Sequence, residues 1–271
     1  MRAALDPAGA LKHALLRLMP WVRLAWATHR DTGLRYRVSP RDVVGRTILR
    51  RRSYEPRLTE WLLGVFLRHP GGVFVDVGAN LGWFTLQAAH LPQVQRVVAV
   101  EPDVVNHGLL QINIEANGLG ARVDAVACAL GSGPGLARLN RYKGSNLGRH
   151  SLVVDHGHGG TWVPLEALDL LLQRLDLAQS PLAAIKIDVE GYEPLVLAGA
   201  SGALGRAQAL LVELSPELSR AGGLDVGAAL DAIAAAGFVP DVWDREGALP
   251  DFGGLRAYAH QATVGFRRAV P

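Results

Sequence analysis

The chain has 271 residues, 49% of them hydrophobic, and one cysteine, Cys128. It can bury a full core as a soluble globular protein, but it can form neither an internal disulfide nor a thiolate zinc cluster, so the cytosol is the expected compartment. The net charge of +3 hides an asymmetry: residues 1–70 carry fourteen Lys or Arg against five Asp or Glu, and the rest carry fourteen against twenty. The basic part, ending in Arg50, Arg51 and Arg52, reads either as a solvated arginine-rich face or as a contact for phosphate, an anionic glycan or an acidic membrane surface.

The first apolar stretch, Leu11 to Ala27, is interrupted by Lys12, Arg17, Pro20 and Arg23 and is too short to span a bilayer. It has no small-residue cleavage site after a clean apolar run, so no signal peptide is expected. Leu11, Leu15, Leu18 and Val22 share one face at helical spacing; that face is expected to pack on the main domain, or else to lie on a membrane interface. Leu34–Val38 and Val44–Leu49 alternate and are joined by SPRD, which predicts a hairpin. Leu58, Trp61, Leu62, Val65 and Phe66 predict a helix within 53–69, stopped by Pro70-Gly71-Gly72. Residues 1–70 are thus expected to form a basic appendage to a domain spanning 71–271.

From Val73 strand and helix alternate: VFVDV, WFTLQAAH, VVAVE, a helix over 106–116 and VDAVA. That alternation argues a parallel sheet covered on both faces. The glycine-rich stretch 131–161, with YKGSNLGRH inside it, reads as a loop or hairpin excursion. Helix resumes over 165–175, followed by AIKIDVE as a fourth strand, a helix over 194–200, LLVEL as a fifth strand, a helix over 226–236, FVPDVW as a sixth and ATVGFRR as a seventh.

In such sheets ligands bind at the carboxyl ends of the strands where strand order reverses, which draws attention to the first turn, Asp76-Val77-Gly78-Ala79-Asn80-Leu81-Gly82. Gly78 would let backbone approach a ligand, Asn80 tolerates a left-handed conformation or caps the next helix, and Gly82 permits tight packing. Glu101, followed by Pro102 and Asp103, ends the second strand where a carboxylate can accept both hydroxyl hydrogens of a ribose. The turn lacks the third glycine of a dinucleotide site, and Asp76 would repel a pyrophosphate while suiting the cationic methionine portion of S-adenosylmethionine.

On the fourth strand, alternation sets Lys186, Asp188 and Glu190 on one side. A lysine between isoleucines calls for a carboxylate partner. Together the three are the candidate catalytic set, with Asp188 as base toward an acceptor hydroxyl, Glu190 as an orienting acceptor, and His150 and His260 in reserve. Asp188, Glu190 and Glu213 could also offer oxygens to a divalent ion, but no metal site is expected from so common a pattern. Tyr142, Ser145, Asn146 and Arg149, in the excursion, are the candidate substrate contacts, offering stacking and hydrogen bonds to a sugar.

VDVGANLGWF, VVAVEPD, NIEANGL, ALGS at Ala129 to Ser132, SNLGRHSL and above all IKIDVEGYEPLVLAGA resemble the FkbM family of S-adenosylmethionine-dependent methyltransferases, as does YEP at Tyr54 to Pro56. The likeness runs from about Tyr54 to about Gly199. It implies an α/β class I, Rossmann-like methyltransferase fold: a seven-stranded, mostly parallel sheet with helices on both faces, here with an N-terminal helix and β-hairpin appendage. It implies S-adenosyl-L-methionine as cofactor and O-methylation of a sugar, glycolipid or polyketide-type hydroxyl. Asp76, Gly78, Ala79, Asn80 and Gly82 would form the methionine-side turn, Glu101 with Pro102 the ribose anchor, and Cys128 and Ala129 the adenine wall, with Asp188 beside the methyl group; Asn106 and Asn113 match family asparagines that cap or pack. The alternatives are a nicotinamide-dependent oxidoreductase, and a non-catalytic nucleotide-fold module docking membranes through the basic N-terminus. Nucleic acid is not an expected partner, since no aromatic interleaving accompanies the arginines.

Overall fold

The computed structural model describes residues 5–19 and 21–269. The chain opens with helix α1 (Pro7–Arg17), whose N-terminus is capped by the Asp6 carboxylate accepting from the Gly9 amide at 2.7 Å. Strands β1 (Ala25–Thr28) and β2 (Arg35–Val38) pair antiparallel, and helices α2 (Val43–Arg51) and α3 (Pro56–Arg68) follow. Two expectations are corrected. The hairpin exists, but its strands are β1 and β2; 43–51 is a helix, because Asp42 caps it through the Gly45 amide at 3.0 Å and Val44, Ile48 and Leu49 bury one helical face. The first apolar stretch is not one helix, since β1 begins within it, and its leucine face does not pack: Leu11, Leu15 and Leu18 are 63%, 49% and 76% exposed, and α1 instead buries His13 against the Pro40 carbonyl. Pro20, expected to interrupt that stretch, lies outside the described residues.

β3 (Gly72–Val77) is buried at every position, as the central strand of a sheet covered on both faces must be. It is followed by α4 (Trp83–His90), β4 (Val94–Val100), α5 (Val104–Ala116) and β5 (Val123–Val126). A short strand β6 (Ala129–Leu130) then joins β7 (Gly135–Asn140) and β8 (Gly160–Glu166) in a separate three-stranded sheet, β6-β8-β7, so the excursion is a hairpin carrying a long loop at its tip. The helix expected from Leu165 starts later, as α6 (Leu168–Arg174), because Leu165 and Glu166 pair with β6. The chain continues through β9 (Leu182–Ile187), α7 (Glu193–Ala198), α8 (Ser201–Arg206), β10 (Ala209–Leu214), α9 (Pro216–Ala221), α10 (Val226–Ala235), β11 (Phe238–Trp243), α11 (Phe252–Ala257) and β12 (Ala262–Arg268).

The main sheet has seven strands in the order β11-β12-β10-β9-β3-β4-β5, parallel except where β12 inserts antiparallel between β10 and β11. Strand order reverses between β3 and β9, which opens a crevice at their carboxyl ends. Alternate residues feed two cores. Phe74, Ala184 and Leu211 face α3, α4, α5 and the N-terminal hairpin, while Val75, Ile185 and Val212 face α6, α7, α8 and α10. The first core runs without a break from Tyr36 and Ile48 through Leu62 to Phe74, so residues on both sides of position 70 share it.

Candidate active site

The turn after β3 is drawn tight against the ends of both neighbouring strands. The amides of Gly78 and Ala79 both donate to the Val100 carbonyl at the end of β4, at 2.9 and 3.0 Å. On the other side, a Cβ on Gly78 would lie 1.9 Å from the Asp188 carbonyl oxygen, and its φ of +73° is the glycine region. The missing side chain thus admits the chain after β9, and Gly78 also lines the cavity. Gly82 likewise packs against Leu110 and Leu86. Asn80 adopts the left-handed conformation at φ +52°, and its amide donates to Glu101 Oε2 at 2.8 Å.

Glu101 is the anchor of the crevice. Its second oxygen accepts the Asp103 amide at 2.9 Å, and Asp103 in turn caps α5 through the amides of Val105 and Asn106. Burial outweighs these two donors and pushes the carboxyl up to about 7. Each oxygen keeps a further lone pair, and the residue lines the cavity, an acceptor pair that suits the two hydroxyls of a vicinal diol. Pro102, Cys128 and Ala129 line the same cavity, which measures about 290 Å³. Burial raises the Cys128 thiol to about 11, so it is an apolar wall and not a thiolate.

Asp76, Ala79 and Gly82 are not among the residues that line the cavity. Asp76 is fully buried beneath the turn, where it accepts the Thr85 hydroxyl at 2.6 Å and lies 3.3 Å from Lys186 Nζ. Asp76 and Lys186 are register partners on β3 and β9, which explains the lysine between isoleucines. Lys186 also donates to the Gly78 carbonyl at 3.1 Å and lies 3.4 Å from Asp188 Oδ2. It stays buried and charged: burial opposes the cation, but Asp188, Asp76 and Glu55 together hold its pKa above the usual lysine range. Lys186 is thus a fixed positive charge and cannot take up a proton.

β9 ends at Ile187, so the alternation expected to carry Asp188 and Glu190 on one side stops before them. Asp188 turns into the cavity with its side chain 38% exposed. Glu190 is buried at φ +49°; Gln261 Nε2 donates to it at 3.1 Å and Arg149 Nε lies 3.7 Å away. Gln261 also donates to Glu213 at 2.7 Å. Burial, followed by the charge of Asp188, pushes Glu190 up to about 8 and Glu213 well above the usual range, and the same two causes raise Glu55 to about 7. Two cations are paired with this group of acids, Lys186 with Asp188 and Arg149 with Glu190. Among the described residues no three His, Cys, Asp or Glu are arranged to hold a metal ion.

The loop between β7 and β8 covers the crevice. The Leu147 amide donates to Asp42, the Leu147 carbonyl accepts from Asn106 Nδ2, and the Ser145 carbonyl accepts the Val43 amide. Of the expected substrate contacts, Asn146 and Arg149 line the cavity, while Tyr142 and Ser145 do not; Tyr142 stacks beside His156 and Arg149. His150 Nδ1 accepts the Tyr142 amide at 3.0 Å, its Nε2 lies 3.7 Å from Asp103, and the residue lines the cavity. His260 is at the surface beside Glu217. Sequence reasoning missed Tyr54, Val43 and Gln261 as cavity residues. Only the YEP stretch carried a signal for Tyr54; Gln261 is brought in by the strand crossing of β12.

The family model "Methyltransferase FkbM domain" matches residues 76–258. The chain is 34% identical over 169 residues to the 31-O-demethyl-FK506 methyltransferase FkbM of Streptomyces tacrolimicus, covering 52% of this chain and 63% of that protein. Among solved structures, it is similar to methyltransferase FkbM from Methylobacillus flagellatus KT, with 21% identity, a TM-score of 0.37, and coverage of 53% of this chain and 32% of that one. It is also similar to TYW2 of M. jannaschii in complex with AdoMet, with 12% identity, a TM-score of 0.43, and coverage of 91% and 87%. The chain therefore spans less than two thirds of the length of the FkbM proteins it matches. The seven-stranded sheet, with its one antiparallel strand, is the class I Rossmann-like methyltransferase fold. With two thirds of its length under the family model, the chain belongs to the FkbM family of S-adenosylmethionine-dependent methyltransferases.

Proposed function

We propose that this enzyme methylates a hydroxyl oxygen of a small-molecule or glycan acceptor, with Asp188 as the base. The observation that carries the reading is the position of Asp188: at the strand-order reversal, open to the cavity, and beside a lysine that cannot leave. The name of the Streptomyces relative, which puts the methyl on an oxygen, supports the same reaction type. Family membership displaces the nicotinamide alternative, and the diol-binding acid without a basic phosphate cradle in its turn agrees.

The residues present fit the cofactor. Glu101 would hold the ribose hydroxyls, Cys128 and Ala129 would flank the base, and the Gly78–Asn80 turn would bound the amino-acid end. When bound, S-adenosylmethionine supplies an electrophilic methyl group on a good leaving group. The chain must then align an acceptor oxygen and receive its proton. Lys186 Nζ, 3.4 Å from Asp188 Oδ2, sets a fixed positive charge beside the proposed base and holds its carboxylate in place. Glu190 and Glu213, held by Gln261 and raised by burial, keep a proton near neutrality and can donate to, as well as accept from, a second hydroxyl of the acceptor.

Calorimetry with S-adenosylhomocysteine, beside a methyl-transfer assay on a panel of glycans, tests this. Asp188→Asn should lower kcat by about 100-fold or more and leave cofactor affinity nearly unchanged. Glu101→Ala should instead weaken cofactor binding by about 100-fold. Full activity of Asp188→Asn would remove it from the chemistry.

A further inference from the structure

A second cavity, about 670 Å³, opens beside the first and shares Val43 and Tyr54 with it as a common wall. Five arginines line it: Arg46, Arg50 and Arg51 from α2, Arg57 from α3, and Arg245 after β11. Arg57 and Arg245 are partly committed, since Arg57 donates to the Arg245 carbonyl at 3.1 Å and Arg245 Nε lies 3.5 Å from Asp244. The three on α2 differ. Among the described residues, no carboxylate is within ion-pair distance of Arg46, Arg50 or Arg51. Glu55, Asp244 and Glu246 also line the groove, but Asp244 faces Arg245, and Glu55 is half-buried and bonded to the Tyr54 hydroxyl.

Arg46 and Arg50 stand four residues apart, one turn of α2, and like charges at that spacing repel. Neither salt bridges nor the packing of α2 account for keeping them there, because that helix buries Val44, Ile48 and Leu49 on its other face. Guanidinium forks in such an array match a phosphate, which accepts two parallel bonds from each.

We propose that this groove binds a phosphate group of the acceptor, so that the substrate is a phosphorylated saccharide whose free hydroxyl reaches Asp188 past Tyr54. The inference rests on the methyltransferase reading above and names the substrate class for that same site. A sugar phosphate in solution and a phosphate borne on a lipid share this chemistry.

The test is calorimetry on the full chain saturated with S-adenosylhomocysteine, titrated with glucose 1-phosphate, with glucose, and with phosphatidylcholine vesicles doped with phosphatidic acid. Glucose 1-phosphate is expected to bind where glucose does not, and the exposed-site double variant Arg46→Ala/Arg50→Ala should weaken it by about 100-fold while leaving S-adenosylhomocysteine affinity intact. Binding of the doped vesicles alone, lost in the same variant, would support a lipid-borne phosphate instead. If cofactor-loaded protein binds neither probe, or binds them equally well in the double variant, the groove is not a phosphate site and only this inference fails. If S-adenosylhomocysteine itself does not bind, the proposed function fails and this inference with it.

Discussion

At Gly78 the chain has no room for a methyl group. The added carbon would meet the Asp188 carbonyl at 1.9 Å in a backbone conformation that disfavours side chains, so the two strand ends that flank the crevice would have to separate. Gly78→Ala should therefore cost about 3 kcal/mol and lower Tm by roughly 10 °C in a thermal melt, while also moving Asp188. An unchanged melting temperature would show that the turn can relax. Glu101 and Asp188 were legible as site residues because each ends a strand that the apolar pattern marks out. Asp76 was legible only as an acid in the turn. Its burial and its pairing with Lys186 depend on register across β3 and β9, which no local pattern carries.

Among the elements, the N-terminal hairpin is tied to α5 by Asn113 and by Asn117 at its C-terminal end, whose side chain bonds the Arg35 amide and carbonyl. Asn113 is fully buried; its Nδ2 donates to the Leu81 carbonyl at 2.8 Å and to the Arg37 carbonyl at 3.3 Å, and its Oδ1 accepts the Arg37 amide. Asn113→Ala leaves those backbone groups buried without partners, at about 3 kcal/mol in all, and should raise hydrogen exchange in Arg35–Val38 before the central strands respond. Equal exchange in variant and parent would mean the hairpin is held by packing and Asn117. The central strands and α3 follow from periodicity, since β3 is buried at every position and α3 buries Leu58, Leu62, Val65 and Phe66 on one face, whereas α4 is buried from Trp83 to Ala89. Helix α2 did not, because Val44, Ile48 and Leu49 within nine residues fit alternation as well as helix, and the Asp42 cap decides between them.

Across the whole molecule, the buried acids tie stability to pH. Glu55 and Glu101 are raised from 4.5 to about 7, and Glu190 to about 8. A carboxyl whose folded pKa exceeds its unfolded one stabilises the fold fully below 4.5 and loses that contribution as pH climbs through about 7 to 8. Tm should thus fall between about pH 5 and pH 8 and level off above, and Glu190→Gln, which removes one titrating group, should flatten the fall; a profile equally steep in the variant would clear Glu190 of the effect. The sequence by itself determined the doubly wound domain, the turn after β3, the acid that ends β4 and the family, because these are written in contiguous stretches whose periodicity and residue types act locally. Only the tertiary structure decided which acids face the cavity and which lie under it, and that Tyr54 stands between the cavity lined by Gln261 and the groove lined by the arginines of α2. Those neighbours lie as much as two hundred residues apart in the chain, and it is the crossing of strands and the capping of loops, not local spacing, that brings them together.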